Sequence, residues 1–454
     1  MGGEQQKSQE ELAFGGRAKV KPEARQGEGT EPLTAGSIPE SRAGNERTME
    51  EVLERENLKE ALKRVERNKG AGGVDGMPVG KLRAYLKQHW PKLREDLLSG
   101  KYEPQPVRRV EIPKASGGMR RLGIPTVVDR FIQQAIQQVL QREWDGTFSE
   151  HSYGFRPNRT AHQAIDQAKE YINAGYGIVV DIDLEKFFDR VNHDVLMSRV
   201  ARRVSDKRLL KLIRRYLNSG VMENGLVSPT DEGTPQGGPL SPLLSNLMLD
   251  DLDRELERRG HRFVRYADDC NIYVRSKRAG ERVMAGVKEY LERRLRLKVN
   301  EQKSAVGKPS ERKFLGYSFT NEVKARRRIA PESVRRFKER VREKTKRGRS
   351  LQLVVTELSQ YMRGWGGYYR RSEWRSQLTE LDQWVRRRLR RYVWQEWKRP
   401  RRRYRILRKH GTEPREAWRV IHFGPWRASR SKAVSRILSN AYFRRIGLYS
   451  LERS

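Results

Sequence analysis

The sequence has one cysteine in 454 residues, Cys270. No intramolecular disulfide can form, and a zinc site built on paired cysteines is excluded. Long apolar runs are missing too, for nothing approaches the roughly 18 residues that a membrane helix needs. The N-terminus lacks the apolar stretch of a secretory signal, and acidic residues from Glu4 onward are foreign to an organelle transit peptide. A soluble, intracellular and cytoplasmic chain with no membrane partner is the expectation. Acidic residues are few beside basic ones, 58 Asp+Glu against 96 Lys+Arg, for a formal net charge of +38. So large an excess repels itself unless the protein works on a polyanion, and nucleic acid is the first candidate. The length is that of two to four domains, enough to bury a substantial core.

The excess is unevenly spread. Residues 321–454 hold 39 Lys+Arg and 12 Asp+Glu, a net of +27, whereas the first 320 residues stand at +11. The same tail carries seven of the nine tryptophans: Trp365, Trp374, Trp384, Trp394, Trp397, Trp418 and Trp426. Arginine interleaved with aromatic rings suits RNA, because guanidinium grips phosphate bidentately and flat rings stack on unpaired bases. More than half of these tryptophans are nonetheless expected to anchor a helical core. Trp384 is the clearest, since Leu378, Leu381, Val385, Leu389 and Tyr392 continue one apolar face around it at helical spacing.

Residues 1–50 are rich in Gly, Glu, Gln and Arg and poor in apolar residues, so no packed structure is expected there. From Met49 the pattern turns helical through Val52, Leu53, Leu58, Leu62 and Val65. Gly177–Asp183 reads as a short buried strand, and Phe263–Val274 as strand, tight turn, strand. Helical stretches such as Leu243–Leu256 lie between. Strands mixed with helices, then a helical tail, indicate an α+β core with an all-α appendage.

Carboxylates inside so basic a chain call for a reason. Asp181 and Asp183 are two apart on one strand and share a face. Asp268 and Asp269 are adjacent at a hairpin tip. With the two elements side by side, three carboxylates would converge. Such a cluster repels itself unless cations fill it, and an all-oxygen ligand set favours Mg²⁺ or Mn²⁺. Two such ions stabilise the attacking and leaving oxygens of an in-line phosphoryl transfer. Alone, the Asp-Asp pair reads more readily as an ordinary turn than as a metal site. Spacing alone does not choose between Asp181 and Asp183.

Wider context adds to this. Tyr266-Ala-Asp-Asp269, between apolar strands, resembles the Y-x-D-D box of reverse transcriptases. Gly233-Thr-Pro-Gln-Gly-Gly-Pro-Leu-Ser-Pro242 resembles their P-Q-G box, and Asp183-Leu-Glu-Lys-Phe-Phe-Asp189 their first carboxylate motif. Further matches are Ile112–Arg121, Ser152-Tyr-Gly-Phe-Arg-Pro157, Leu297–Lys303 and Phe314-Leu-Gly-Tyr317, all in the family's order. The set resembles the reverse transcriptase/maturases encoded by bacterial group II introns, over roughly residues 51 to 410. The resemblance implies a right-hand polymerase. Residues 51–320 would form fingers and palm, with 51–94 an N-terminal extension, 95–320 the core and an antiparallel sheet in the palm. Residues 321–400 would form an α-helical thumb/maturase region and 401–454 a basic RNA- or DNA-binding extension.

It also implies roles. Asp183, five residues before the aromatic Phe188, takes the place of the catalytic aspartate, and Asp181 then reads as structural. The Leu184 carbonyl and the carboxylates of Asp268 and Asp269 complete a site for two Mg²⁺ ions, with Mn²⁺ as substitute. Phe188 stands where a ribose 2′-hydroxyl is blocked. Lys114 and Arg120 match residues that hold the incoming triphosphate, Gln236 one that lines the nucleotide pocket, and Lys303 one that approaches the leaving pyrophosphate. Asn68–Met77 resembles a template-contacting extension, and Tyr361–Tyr369 the maturase segment. The implied partners are deoxynucleoside triphosphates, an RNA template with DNA primer, group II intron RNA and target DNA. The family's zinc-binding H-N-H endonuclease needs cysteine pairs that are absent, so priming from another source is expected. A splicing factor that has lost polymerase activity, or a retron-type enzyme, are the competing readings. Removing the tail beyond Lys324 should flatten the salt dependence of RNA binding.

Overall fold

The computed structural model describes residues 48–113, 118–223, 226–228, 232–233 and 237–453. Of the N-terminal segment read as unstructured, residues 1–47 lie outside this range, and the last three open a helix. The described residues fall into two compact units, which divide between Lys308 and Pro309.

The first unit begins with helices α1 (Thr48–Val52), α2 (Arg55–Asn68) and α3 (Leu82–Leu98). Strands β1 (Val107–Pro113) and β2 (Met119–Ile124) follow, then the long helix α4 (Val127–Trp144) and α5 (Ala161–Asn173). Thr126 caps α4, its hydroxyl accepting from the Asp129 N–H at 3.1 Å, and Thr160 with Gln163 forms a capping box on α5. Strand β3 (Ile178–Ile182) leads into α6 (Phe187–Arg190), α7 (His193–Ala201) and α8 (Lys207–Asn218). The short strands β4 (Val221–Glu223) and β5 (Leu226–Ser228) precede α9 (Ser241–Arg258). The unit closes with β6 (Arg262–Tyr266), β7 (Asp269–Val274), α10 (Lys277–Tyr290) and β8 (Ala305–Gly307).

Two four-stranded sheets result. The first runs β2-β1-β4-β5, with β1 antiparallel to β2 and parallel to β4. The second runs β6-β7-β3-β8 and is antiparallel throughout. Val179, Val180 and Ile182 of β3 and Cys270, Ile272 and Tyr273 of β7 are buried, as consecutive apolar residues require of inner strands covered by helices. Helix α10 lies close on this sheet: a Cβ on Gly280 would press into Val306 and stand 3.4 Å from Val180 and Val274. Leu247, Met248, Leu252 and Leu256 of α9 join the same core. Asp206 ties distant parts together, accepting from the Met49 N–H of α1 at 3.0 Å and the Arg208 N–H of α8 at 2.9 Å. The mixed α+β architecture read from the sequence is what the chain forms.

The second unit pairs two short strands, β9 (Tyr317–Phe319) and β10 (Arg327–Ile329). Otherwise it is helical: α11 (Pro331–Lys344), α12 (Leu351–Tyr369), α13 (Arg375–Glu396), α14 (Pro400–Lys409) and α15 (Pro414–Ile421). Three shorter helices end it, α16 (Pro425–Ala428), α17 (Lys432–Ile437) and α18 (Asn440–Arg445). The chain end packs back on α13, where Asp382 accepts from the Leu451 N–H at 3.0 Å and the Ser450 hydroxyl at 3.1 Å. Leu378, Leu381, Val385, Leu389 and Tyr392 are buried along α13, as their spacing predicts.

The tryptophans depart from expectation. Of the seven, Trp394 and Trp397 are buried, Trp365 and Trp384 half-buried, and Trp374, Trp418 and Trp426 exposed. At 100° per residue, Trp384 lies about 60° outside the stripe that runs from Leu378 to Tyr392. It sits at that edge beneath Lys338 and Arg342, 5.9 and 5.6 Å from its ring centre. Among the described residues no helix is long and apolar enough to cross a membrane.

Candidate active site

Register brings the candidate acids to one end of the antiparallel sheet. Ile182 pairs with Cys270 and Tyr266 with Asp269. Asp183, one residue past β3, therefore lies beside the β6–β7 turn that bears Asp268 and Asp269. The Asp183 backbone is held from its other side. Its N–H donates to Ser304 Oγ at 2.9 Å, and its carbonyl accepts from the Asn300 N–H at 2.8 Å. Leu184 bridges Val299, and the Glu185 N–H donates to the Lys298 carbonyl at 2.8 Å. The Leu297–Lys303 stretch thus lies along the segment that carries Asp183. Two residues back, Asp181 faces Asn271, whose amide donates to it at 3.1 Å in the orientation that satisfies both ends of the amide.

The Asp183 carboxylate meets Lys303 Nζ at 3.5 Å, the lysine side chain exposed and the aspartate's half-buried. An ion pair with one partner exposed adds little stability; its interest is in placing a cation at the acid. Among the described residues no three His, Cys, Asp or Glu side chains form a group that could hold a metal ion. The convergence of three carboxylates expected from the sequence is therefore not drawn in as a closed cluster. Like charges repel, and the group within ion-pair distance of Asp183 is Lys303. In the β6–β7 turn, Ala267 takes a left-handed φ of 57°. Beside it, burial pushes the Cys270 thiol far up, which leaves it a protonated core residue rather than a nucleophile.

Phe188 lies in α6, half-buried, its ring edge-on to Phe187 at 5.2 Å. The start of the Gly233–Pro242 box is stitched to this turn. Gly233, with φ of 95°, approaches so closely that a Cβ would stand 2.9 Å from the Phe188 carbonyl oxygen. Its N–H donates to the Val191 carbonyl at 2.8 Å, and its own carbonyl lies 2.6 Å from His193 Nε2. Gln236 lies outside the described residues, as does Lys114. Strands β1 and β2 pair on either side of this stretch, Pro113 with Met119 and Ile112 with Arg120; the Arg120 side chain is outside the described set. Ser304, Asn300 and His193 escaped sequence reasoning as site residues. Ser304 follows directly on a recognised stretch that includes Asn300, whereas a lone His193 offered no signal.

Residues 112–319 match the family described as reverse transcriptase (RNA-dependent DNA polymerase), and residues 334–411 match the group II intron maturase-specific domain. Protein YkfC of Escherichia coli (strain K12) is 41% identical over 220 residues, covering 47% of this chain and 58% of that protein. The group II intron-encoded protein LtrA of Lactococcus lactis is 29% identical over 318 residues, covering 56% of this chain and 53% of that protein. A putative COX1/OXI3 intron 2 protein of Saccharomyces cerevisiae is 34% identical over 195 residues, 42% of this chain and 22% of that one. The chain spans a little over half the length of YkfC and LtrA. A reverse transcriptase region followed by a group II intron maturase-specific domain thus makes up much of the chain, which is similar to group II intron-encoded proteins.

Proposed function

We propose that the chain is an RNA-directed DNA polymerase that also binds its group II intron RNA to assist splicing and mobility. The supporting observation is the β6-β7-β3 register, which sets Asp183 beside Asp268 and Asp269 within the matched reverse transcriptase region. In this reading the β1–β2 hairpin belongs to the fingers and the β6-β7-β3-β8 sheet to the palm. Residues 321–400 act as thumb and maturase region, and residues 401–454 as a basic extension for RNA or target DNA.

The Asp183 carboxylate, the Leu184 carbonyl and the carboxylates of Asp268 and Asp269 are oxygen donors only, at one end of one sheet. That donor set fits Mg²⁺, with Mn²⁺ as substitute, and is the one to hold two ions. When bound, they supply charge neutralisation at the attacking and leaving oxygens of nucleotidyl transfer. The chain's own groups do the positioning. Ser304 and Asn300 fix the Asp183 backbone, and Lys303, already at Asp183, is in place to meet a leaving pyrophosphate. By the resemblance, Lys114, which follows β1 in sequence, and Arg120 are the paired cations that grip a triphosphate. Gln236 lines the nucleotide pocket, and Phe188 excludes a 2′-hydroxyl.

Extension of a DNA primer on a poly-ribonucleotide template, with deoxynucleotides and Mg²⁺, tests the reading. Template-dependent DNA product is the expected result. A folded chain that binds intron RNA but extends nothing would reduce it to a splicing factor.

A further inference from the structure

The box Ser152-Tyr-Gly-Phe-Arg-Pro157 has no part in the chemistry above, yet it lies against the β6–β7 turn. Its leading residues run parallel to β6. The Arg265 N–H donates to the His151 carbonyl, and the Tyr153 N–H to the Arg265 carbonyl, both at 2.9 Å. Gly154 then comes so near the turn that a Cβ would overlap the Ala267 nitrogen and stand 3.0 Å from the Tyr266 carbonyl carbon. Gly154 is not at positive φ; close approach, not backbone freedom, excludes a side chain there. Arg156 anchors the box from behind. Its buried guanidinium donates to the carbonyls of Ser149 at 2.6 Å and Ser152 at 3.0 Å, and to Asp145 Oδ1 at 3.0 Å.

From the other side comes Arg265, a charged residue in the middle of a buried strand. Its side chain is 1% exposed, and that of its partner Asp253 on α9 is 0% exposed. The guanidinium forks onto the carboxylate, Nε to Oδ1 at 2.7 Å and Nη2 to Oδ2 at 2.5 Å. Its remaining nitrogen donates to the Ala267 carbonyl at 2.9 Å and to Asn246 Oδ1 at 3.1 Å. Asn246 in turn donates to the Gly154 carbonyl at 2.8 Å. The contacts close into a ring of Gly154, Ala267, Arg265 and Asn246, with Asp253 orienting the arginine. Desolvating two charges offsets most of their attraction, so a buried pair is a weak source of stability. What it fixes here is position. A left-handed alanine persists where its surroundings over-determine it, and this ring does so.

We infer that the ring, rather than the turn sequence itself, sets where Asp268 and Asp269 stand, making Gly154, Asn246, Arg265 and Asp253 positioning residues of the polymerase site. The inference rests on the proposed polymerase reading. It is tested in the full chain with Gly154→Ala, Asn246→Ala and Arg265→Lys, compared with wild type in three measurements. These are thermal denaturation, steady-state primer extension, and Mn²⁺ binding followed by loss of the free-ion electron paramagnetic resonance signal. Displacing the acids by roughly 1 Å should lower kcat about a hundredfold and weaken Mn²⁺ binding, with the deoxynucleotide KM within about threefold of wild type. Lysine keeps a charge against Asp253 but, with one nitrogen, cannot fork onto that carboxylate and at the same time reach Ala267 and Asn246, so Arg265→Lys should fall with the others. Full kcat and unchanged Mn²⁺ binding in folded Asn246→Ala or Arg265→Lys overturns the inference. So does a loss of kcat that only tracks loss of folded protein. Should Gly154→Ala not fold, the other two variants decide. A wild-type chain that extends no primer sinks the polymerase reading instead, and the Mn²⁺ arm then still judges the ring.

Discussion

The two units use arginine with different emphasis. In the first, guanidinium groups are drawn into the interior and matched to acids: Arg265 to Asp253, Arg156 to Asp145, Arg203 to Asp250. Each such pair pins a backbone turn or a helix face. The second unit has such pairs too, Arg386 with Asp382 among them, but acids soon run out. Cations lie over rings in both units: Arg156 over Phe148 and Arg203 over Trp144 in the first, and Arg342 over Trp384, Arg391 over Trp426 and Arg427 over Phe423 in the second. A guanidinium resting on a ring face keeps its N–H edge free for phosphate, whereas one forked on a carboxylate does not. One residue type therefore builds a buried frame in the first unit and, on the proposed reading, an RNA-facing surface in the second.

The largest effect that would break this comparison belongs to the acids. Asp268→Asn combined with Asp269→Asn should cost DNA synthesis at least about a thousandfold. Intron RNA affinity should stay within about twofold, because neither carboxylate supplies a cation to bind phosphate. Equal losses in a binding titration would merge the two jobs. Next, Phe188→Ala should relax rejection of ribonucleotides about tenfold to a hundredfold in competitive primer extension. Unchanged rejection would remove Phe188 from the gate.

A smaller effect sharpens the second unit's side. Arg401, Arg402 and Arg405 are exposed on α14. Changing all three to Gln should lower the slope of log affinity against log salt by about 2, at roughly 0.7 per phosphate contact on single strands. Extension on a short primer-template should be unaffected. A cut at Lys324 is a blunter tool, because it would part β9 from β10.

The smallest effect concerns the frame alone. Burial by itself would raise the Asp206 carboxyl, but hydrogen bonds from the Arg208 side chain and the N–H groups of Met49 and Arg208 outweigh it and hold the group below its ordinary value. The folded-state value is thus depressed. Its contribution is complete above the unfolded value near 3.8 and is lost as pH falls through the folded one. Asp206→Ala should cost about 1–2 kcal/mol at neutral pH. Melting curves of variant and wild type should converge in strongly acidic solution, and a constant gap would sink the assignment.

Much of this frame was legible in the sequence. Runs such as Ile178–Ile182 and Phe263–Tyr266 announce buried strands by their apolar residues, each broken by a single charge, and Ala-Asp after Tyr266 announces a turn. The pairing of β3 with β7 is not in either run; the order of the recognised boxes implied it. Arg265 stood in plain sight inside an apolar strand, but its burial makes sense only with Asp253 contributed by α9. His193 was unreadable for a similar reason, since a hydrogen bond to Gly233 leaves no periodic trace. The tryptophans misled because an apolar stripe fixes which face is buried, not how wide a ring at its margin must sink.

Cys270 stands opposite Ile182 and directly after Asp269, shielded from solvent and held protonated. Being the only thiol, it makes this seam its own clock. A thiol reagent can reach it only when the core around this end of the sheet opens, so its labelling rate under native conditions reports that opening. The protein carries, without any added probe, a gauge of how long its acids stay in register.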